Sequence, residues 1–134
     1  MTDRQLVLDA GVLDRVTTSA EFRGVVRELL HAGWDIVVPT VVLAEALTGN
    51  RTDAPANATI ARTGTHVTTE HVARRAGQLR STALRAGGRR HPSGIDAIVA
   101  AHALDANKSV IFTTDVQDMR LLLDGHASVR IEAP

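Results

Sequence analysis

The sequence contains no cysteine, so disulfide bonds, iron–sulfur clusters, thiolate zinc sites and a cysteine nucleophile are excluded. Its aromatic residues are Phe22, Trp34 and Phe112, too few for a platform on which single-stranded bases stack. No apolar run approaches the roughly 18 residues needed to cross a membrane, and the polar start, MTDRQ, does not resemble a signal peptide. We therefore expect a soluble, cytoplasmic protein that does not associate with membranes.

The composition is otherwise that of an ordinary globular protein. Hydrophobic residues make up 44% of the chain and charged residues 22%, close to the usual averages. The 134 residues correspond to a single domain (1–134) that is large enough to bury its own core. Although 15 basic residues balance 15 acidic ones, residues 71–95 contain six arginines and no acid. This basic segment could contact a polyanion locally.

Short apolar runs alternate with amphipathic segments along the chain. Strands are predicted at residues 5–9, 34–38, 66–68, 109–112 and 129–131. Helices are predicted at residues 19–32, 40–48, 69–86, 95–106 and 115–123. Thr18 and Glu21 have the spacing of a capping box for the first helix, and the turn formers at 49–57 predict a loop. This alternation predicts an α/β fold in which helices cover a parallel sheet.

Several acids lie where predicted strands end or helices begin. They are Asp9, Glu45, Asp96, Asp115 and Asp118. Ligands of open α/β sheets bind beyond the carboxyl ends of the strands, where such acids would meet. Each also has a structural interpretation: Asp96 has the spacing of a capping box with Ser93, Asp115 could cap a helix, and Glu45 could face water.

Asp9 is the hardest of these acids to explain structurally, because it follows a buried apolar strand where an unpaired carboxylate is costly. Converging carboxylates repel one another, and a divalent cation would remove this conflict. Ligand oxygens favour Mg²⁺ or Mn²⁺ over zinc. The sequence has no P-loop, dinucleotide-binding fingerprint or nucleophile elbow. Metal-assisted phosphoryl chemistry remains, in which the cation lowers the pKa of a bound water that attacks phosphorus in line.

Four segments of the chain resemble a known family when they are taken in order and spacing. They are LVLDAGVL (6–13), VVPTVVLAEAL (37–47), SGIDAIVAAHAL (93–104) and VIFTTDVQDM (110–119). Together they resemble the four acidic motifs of PIN-domain ribonucleases, and most of all those of VapC-type toxins from bacterial toxin–antitoxin pairs. The resemblance covers essentially the whole chain and implies a three-layer α/β/α sandwich around a parallel sheet.

The resemblance also implies a set of functional residues. Asp9, Glu45, Asp96 and Asp115 would form the catalytic acidic quartet, in which the three aspartates hold Mg²⁺ or Mn²⁺. Asp118 would be an accessory acid, and Thr114 would hydrogen-bond within the site. The family further implies RNA cleavage, homodimerisation and inhibition by a cognate antitoxin. The sequence departs from the family at Gly11, where Ser, Thr or Asn is common, and in HPSGID (91–96).

The basic segment and the histidines have less specific interpretations. Arg89, Arg90 and His91 lie on the predicted loop before Asp96 and could contact RNA, or the two arginines could pair with an acidic tail of the antitoxin. The arginines of residues 74–85 are spread around a helix, so a solvated face explains them equally well. His102 is expected to be a buried, hydrogen-bonded group.

These observations favour a Mg²⁺-dependent endoribonuclease that acts as the toxin of a two-component module. Two alternatives remain open: a non-catalytic binding module of the same fold, and a structure-specific DNA nuclease. The complete set of acids favours an enzyme, and the small size disfavours the DNA nuclease. The sequence specifies neither the RNA that is cut, nor the number of ions, nor the dimer face.

Overall fold

The computed structural model describes residues 2–134 and has the predicted α/β architecture. Over this range, four strands form one parallel sheet in the order β2-β1-β3-β4. They are β1 (Thr2–Leu8), β2 (Asp35–Val37), β3 (Ala106–Phe112) and β4 (Val129–Glu132). The side chains of Leu6, Val7 and Leu8 are fully buried. Both faces of the central strand β1 are therefore covered, as expected for a parallel sheet.

Helices cover the sheet in two groups. Residues 2–134 include seven α-helices: α1 (Arg15–Thr18), α2 (Ala20–His31), α3 (Leu43–Ala46), α4 (Ala54–Thr63), α5 (Glu70–Arg85), α6 (Gly94–Ala103) and α7 (Val116–Leu122). Helices α1, α2 and α4 pack together, and α5, α6 and α7 form a second group. The sheet lies between these groups, which gives the three-layer sandwich. No helix described in residues 2–134 is both long and apolar enough to cross a membrane.

Helix α6 is the central helix of the second group, and it packs on α5, α7, β1 and β3. It begins where the Ser93 hydroxyl accepts a hydrogen bond from the Asp96 backbone N–H at 3.0 Å, which confirms the predicted cap. Most of its side chains are buried, as its nearly continuous apolar sequence predicts. Asp96 is therefore fixed at the start of a helix that cannot shift without disturbing the core.

The prediction of a loop at residues 49–57 is wrong, because this region contains a 3₁₀ turn (Arg51–Asp53) and the start of α4. Pro55, one of these turn formers, lies in the first turn of α4. Proline is tolerated there because the first backbone N–H groups of a helix have no partner within the helix.

Other boundaries also differ from the prediction: the predicted helix at 40–48 is a 3₁₀ turn (Thr40–Val42) followed by α3. The cap of α2 is Ser19, whose hydroxyl accepts from the Phe22 N–H at 3.1 Å, whereas the Thr18 hydroxyl donates to the Asp14 carbonyl. The predicted strand at 66–68 is a single bridge between His66 and Pro39. The predicted helix at 95–106 is too long, since β3 begins at Ala106, which pairs with Thr2 at the start of β1. Ladder pairing thus overrides the local helical pattern at this end.

Candidate metal centre

The topology brings together acids that are far apart in the sequence. Strands β1 and β3 are neighbours in the sheet, and the chain leaves their carboxyl ends at Asp9 and at residues 113–115. This is the point where the order of the strands reverses, at which α/β sheets bind ligands. Helix α6 runs back across the sheet, so its first turn delivers Asp96 to the same edge.

Asp9, Asp96 and Asp115 form one cluster. A carboxylate oxygen of each lies within 4.8 Å of a carboxylate oxygen of the other two. Asp9 and Asp96 are buried, with 2% and 6% of their surfaces exposed, whereas Asp115 is exposed to solvent. The three residues that the resemblance names as metal ligands are therefore brought together, and the cluster opens toward solvent on one side.

Thr113 fixes the orientation of the Asp9 carboxylate. Its hydroxyl donates to Asp9 Oδ2 at 2.6 Å and accepts from the Asp115 backbone N–H at 2.9 Å. The other Asp9 oxygen accepts from the Ala10 N–H at 2.8 Å. The fully buried Thr113 thus links two acids of the cluster. The family resemblance implies a hydrogen bond within the site from Thr114, whereas the bond to Asp9 comes from Thr113, because local sequence does not show which of two adjacent threonines points inward.

The two buried acids of the cluster, Asp9 and Asp96, have raised pKa values. Burial is the main cause of the raised pKa of Asp9, and the charge of Asp115 adds to it, while hydrogen bonds from Thr113 and Ala10 oppose it. Burial also raises the pKa of Asp96, to about 6, with further contributions from the charges of Asp9 and Asp115. In the absence of a cation, these carboxylates resist ionising together.

The ligand set fits a hard divalent cation. Three carboxylates provide only oxygen donors, the ligands of Mg²⁺ and Mn²⁺, and the cysteine-free sequence provides no thiolate for a softer metal. A divalent cation would also neutralise the mutual repulsion that raises the pKa of Asp96. The arrangement could therefore hold such an ion.

A cleft of about 420 Å³ lies beside the cluster. Of the described residues that line it, none is basic and five are acids: Asp9, Asp14, Glu45, Asp53 and Asp115. Glu45, on the exposed side of α3, faces this cleft, but its carboxylate is not part of the three-aspartate group. The structure thus places Glu45 in the lining of the cleft together with Asp9 and Asp115 of the cluster.

Asp53 is a buried acid of a different kind. Its carboxylate accepts from the Thr48 N–H, from the Thr48 hydroxyl at 2.9 Å and from the Gly49 N–H at 2.7 Å. Burial disfavours its charge, but these donors and the Asn50 N–H hold the pKa of this carboxyl below its usual value. Asp53 therefore stabilises the turn after α3. This structural role of Asp53 was not predicted from the sequence.

Gly11 leaves space for Thr114. A Cβ at position 11 would lie 2.6 Å from the Thr114 hydroxyl oxygen, closer than non-bonded atoms approach. Gly11 is not among the glycines with positive φ, so the need is for space and not for backbone freedom. The departure from the family at Gly11 is thus matched by a threonine whose side chain fills the same volume and lines the cleft.

Asp118 lies next to the cluster but outside it. One of its carboxylate oxygens is 3.4 Å from Nη1 of Arg90, on the loop before α6. Its charge contributes to the raised pKa of Asp96. Arg89 and His91, on the same loop, are exposed.

Two other basic groups have structural partners. The Arg80 Nε donates to the Pro92 carbonyl at 2.9 Å and so ties the loop to α5. His102 is buried and its Nε2 lies 2.9 Å from the Thr68 hydroxyl, which confirms the predicted hydrogen-bonded group. Burial lowers the pKa of His102, with an additional contribution from His66. His102 does not line the acidic cleft.

Comparison with known proteins gives matches among solved structures only: no protein-family model and no curated protein matches the sequence. VapBC2 from Rickettsia felis, bound to a DNA fragment from its promoter, matches with a TM-score of 0.70 at 15% identity, over 97% of this chain and 98% of that chain. The chain has a PIN-like fold. VapBC-1 from nontypeable Haemophilus influenzae matches with a TM-score of 0.66 at 16% identity, over 96% of this chain and 97% of that one.

A third structure, of FitAB bound to the IR36 DNA fragment, gives a TM-score of 0.65 at 18% identity, over 96% of this chain and 94% of that chain. At these identities the likeness is one of fold, and it extends over nearly the full length of each chain. The predicted PIN-like sandwich is therefore confirmed, and the acids of the cluster lie at the carboxyl edge of its sheet.

Proposed function

We propose that the protein is a Mg²⁺-dependent endoribonuclease, the toxin of a two-component toxin–antitoxin module. The observation that carries this proposal is the cluster of Asp9, Asp96 and Asp115, whose carboxylate oxygens lie within 4.8 Å of one another at the switch point of a PIN-like sheet. Asp53 is held by donors of its own turn and faces no carboxylate of the cluster, whereas Asp9 and Asp96 lie against each other and against Asp115. A divalent cation is the partner that this cluster lacks within the chain.

Each acid has a defined part in this proposal. Asp9, held by Thr113 and Ala10, presents a carboxylate of fixed orientation, and Asp96 is positioned by the first turn of α6. Asp115 is the exposed member and faces the substrate side of the cluster. When bound, Mg²⁺ or Mn²⁺ supplies Lewis-acid stabilisation of the charge that develops on the phosphate oxygens.

Glu45 has a separate part, because it stands on the wall of the cleft, away from the three aspartates. We assign it to the orientation of the attacking water or to the binding of a second ion. Either part requires its carboxylate to face the cleft, where it is exposed and free to reach a bound molecule.

The partner proposal rests on the solved structures. The similar chains belong to VapBC and FitAB complexes, two of which are bound to DNA fragments. We infer that this chain, too, assembles with an antitoxin, and that it forms a homodimer as the family resemblance implies. Co-purification with the product of a neighbouring small reading frame, and the mass of the assembly in solution, test these two points.

Cleavage of a total-RNA pool by the purified, partner-free protein tests the catalytic proposal. We expect discrete fragments in the presence of Mg²⁺, none in the presence of EDTA, and at least about a hundredfold less cleavage by Asp96→Asn, because even residues behind a metal ligand cost 10–100-fold. Asp105→Asn is the matched control, since Asp105 follows the opposite end of α6.

Two results would overturn the proposal that the protein is an endoribonuclease. If folded protein that binds Mg²⁺ leaves all RNA intact, the non-catalytic binding module is the better description. If it cuts branched or flapped DNA and spares RNA under the same conditions, the DNA nuclease replaces it.

A further inference from the structure

A basic notch of about 470 Å³ lies between the loop before α6 and the exposed face of α7. The residues that form its charge and shape are Gly87, Gly88, Arg89, Arg90, Arg120 and Asp124. Three arginines face one acid there, so positive charge is in excess. This contrasts with the acidic cleft, where none of the described lining residues is basic.

The shape of the notch follows from its glycines. Gly87 and Gly88 have φ values of 78° and 104°, a backbone conformation that side-chain-bearing residues rarely adopt. They turn the chain sharply after α5, and beyond this turn Arg89 and Arg90 lie beside α7. Without side chains at these two positions, a ligand can approach the backbone of the loop closely.

Arg90 connects the notch to the surroundings of the carboxylate cluster. Arg90 lines the notch and also lies 3.4 Å from Asp118, which is one helical turn after Asp115. Arg120 follows Asp115 by five residues, a rise of about 7.5 Å along α7. Helix α7 therefore carries a cluster acid at its start and a notch arginine on its next turn.

The arginines of the notch are available to a ligand. The side chain of Arg90 is 55% exposed, and an ion pair of this exposure contributes little to stability, so Arg90 can exchange Asp118 for another anion. Arg89 and Arg120 are exposed, and neither has a salt bridge among the described residues. Guanidinium groups bind phosphate through paired hydrogen bonds, whatever the base sequence of the nucleic acid.

We propose that this notch binds a backbone phosphate of the RNA, next to the phosphate that is cut at the carboxylate cluster. The proposal rests on the proposed nuclease function and deepens it, because it names the surface along which the substrate strand leaves the site. Phosphate contacts fix the register of a strand without reading its bases. The notch therefore sets where the strand lies, and selectivity for a particular RNA arises elsewhere.

The salt dependence of RNA binding tests this proposal. All proteins carry Asp96→Asn, so that a fluorescein-labelled single-stranded RNA of mixed sequence stays intact while its anisotropy is measured from 50 to 300 mM KCl. Each lost phosphate contact on a single strand lowers the slope of log K against log salt by about 0.7. We expect Arg89→Gln with Arg120→Gln to reduce the magnitude of the slope by about 0.7, the value for the one phosphate that the notch binds, and to weaken binding.

The matched control is Arg74→Gln with Arg85→Gln, the same charge change on a separate face of α5. It should leave the slope unchanged. If RNA binds and the notch variant has the slope of this control, the notch is not the phosphate site and the nuclease proposal stands. If no protein in the set binds RNA and the wild type does not cut it, both proposals fail together.

Discussion

The carboxylate cluster and the turn around Asp53 bury acids in opposite ways. Asp53 accepts hydrogen bonds from the backbone and hydroxyl of Thr48 and from Gly49, and its pKa is lowered. Asp96, equally buried, faces two other carboxylates, and its pKa is raised to about 6. Two aspartates of equal exposure thus differ: hydrogen-bond donors stabilise the charge of Asp53, whereas Asp96 faces other carboxylates that disfavour its charge.

This difference distinguishes an acid that stabilises a turn from acids that could bind a cation. Burial of a charge is tolerated where donors surround it, and the chain supplies those donors at Asp53. At the cluster, hydrogen bonds to Asp9 from Thr113 and Ala10 and to Asp96 from Ser93 do not offset burial and the neighbouring carboxylates, and the pKa of both acids stays raised. Substitutions can change either the turn around Asp53 or the carboxylate cluster and its surroundings, and leave the other unchanged.

Asp53→Asn should produce the largest loss of stability. Its amide group would place N–H donors against those of Thr48 and Gly49, and the turn after α3 would lose its charged acceptor. We expect the melting temperature to fall by several degrees in a thermal unfolding scan, with or without Mg²⁺. Asp14→Asn, an exposed acid of the same cleft, is the control and should melt like the wild type. Equal melting of all three proteins would mean that the Asp53 hydrogen bonds are not stabilising.

In EDTA, the protein should become less stable as the pH rises, because the pKa of Asp96 is raised in the folded state. Because Asp96 binds its proton more tightly in the folded state, the stability that it contributes is present below pH 4 and is lost as the pH rises to about 6. Asp9 contributes in the same direction.

Chemical unfolding from pH 4 to 8 checks this prediction. Asp96→Asn should flatten the curve and be more stable than the wild type above pH 6, because it removes the charge that the cluster disfavours. A variant curve parallel to that of the wild type would show that Asp96 does not titrate as described.

Gly11→Ala should have the smallest effect. The added methyl group would lie 2.6 Å from the Thr114 hydroxyl, and such overpacking costs about 1 kcal/mol where a side chain can give way. In a Thr114→Ala background, the same change should cost much less, since the obstructing atoms are gone. A double-mutant cycle measured by denaturant unfolding gives the coupling. Additive costs would mean that the two positions do not compete for space.

The sequence is sufficient for four of the five predicted strands, because they depend on local patterns, and the family resemblance named the three aspartates that the structure brings together. Strand β1 ends in an acid after an apolar run, and Asp96 lies at a recognisable cap. Helix α4 was missed since its proline and polar residues are typical of turns, and only its packing on α1 makes it a helix.

The neighbours of the acids could not be predicted from sequence. Whether Thr113 or Thr114 contacts Asp9 depends on the exit angle of β3, which the ladder with β1 and β4 determines. Asp53 lies among turn formers, and its donors become visible only once the chain folds back over it. Likewise, the ion pair of Asp118 and Arg90 joins residues 28 apart that no local pattern connects.

Binding of Mn²⁺ to the metal-free protein, without RNA, tests the central claim most directly. Free Mn²⁺ is followed by electron paramagnetic resonance as it is titrated into the wild type, Asp96→Asn and the control Asp105→Asn. If the cluster is a cation site, the wild type and the control bind Mn²⁺, and Asp96→Asn binds at least about tenfold more weakly. If Asp96→Asn binds Mn²⁺ as tightly as the wild type, Asp9, Asp96 and Asp115 do not form a metal centre.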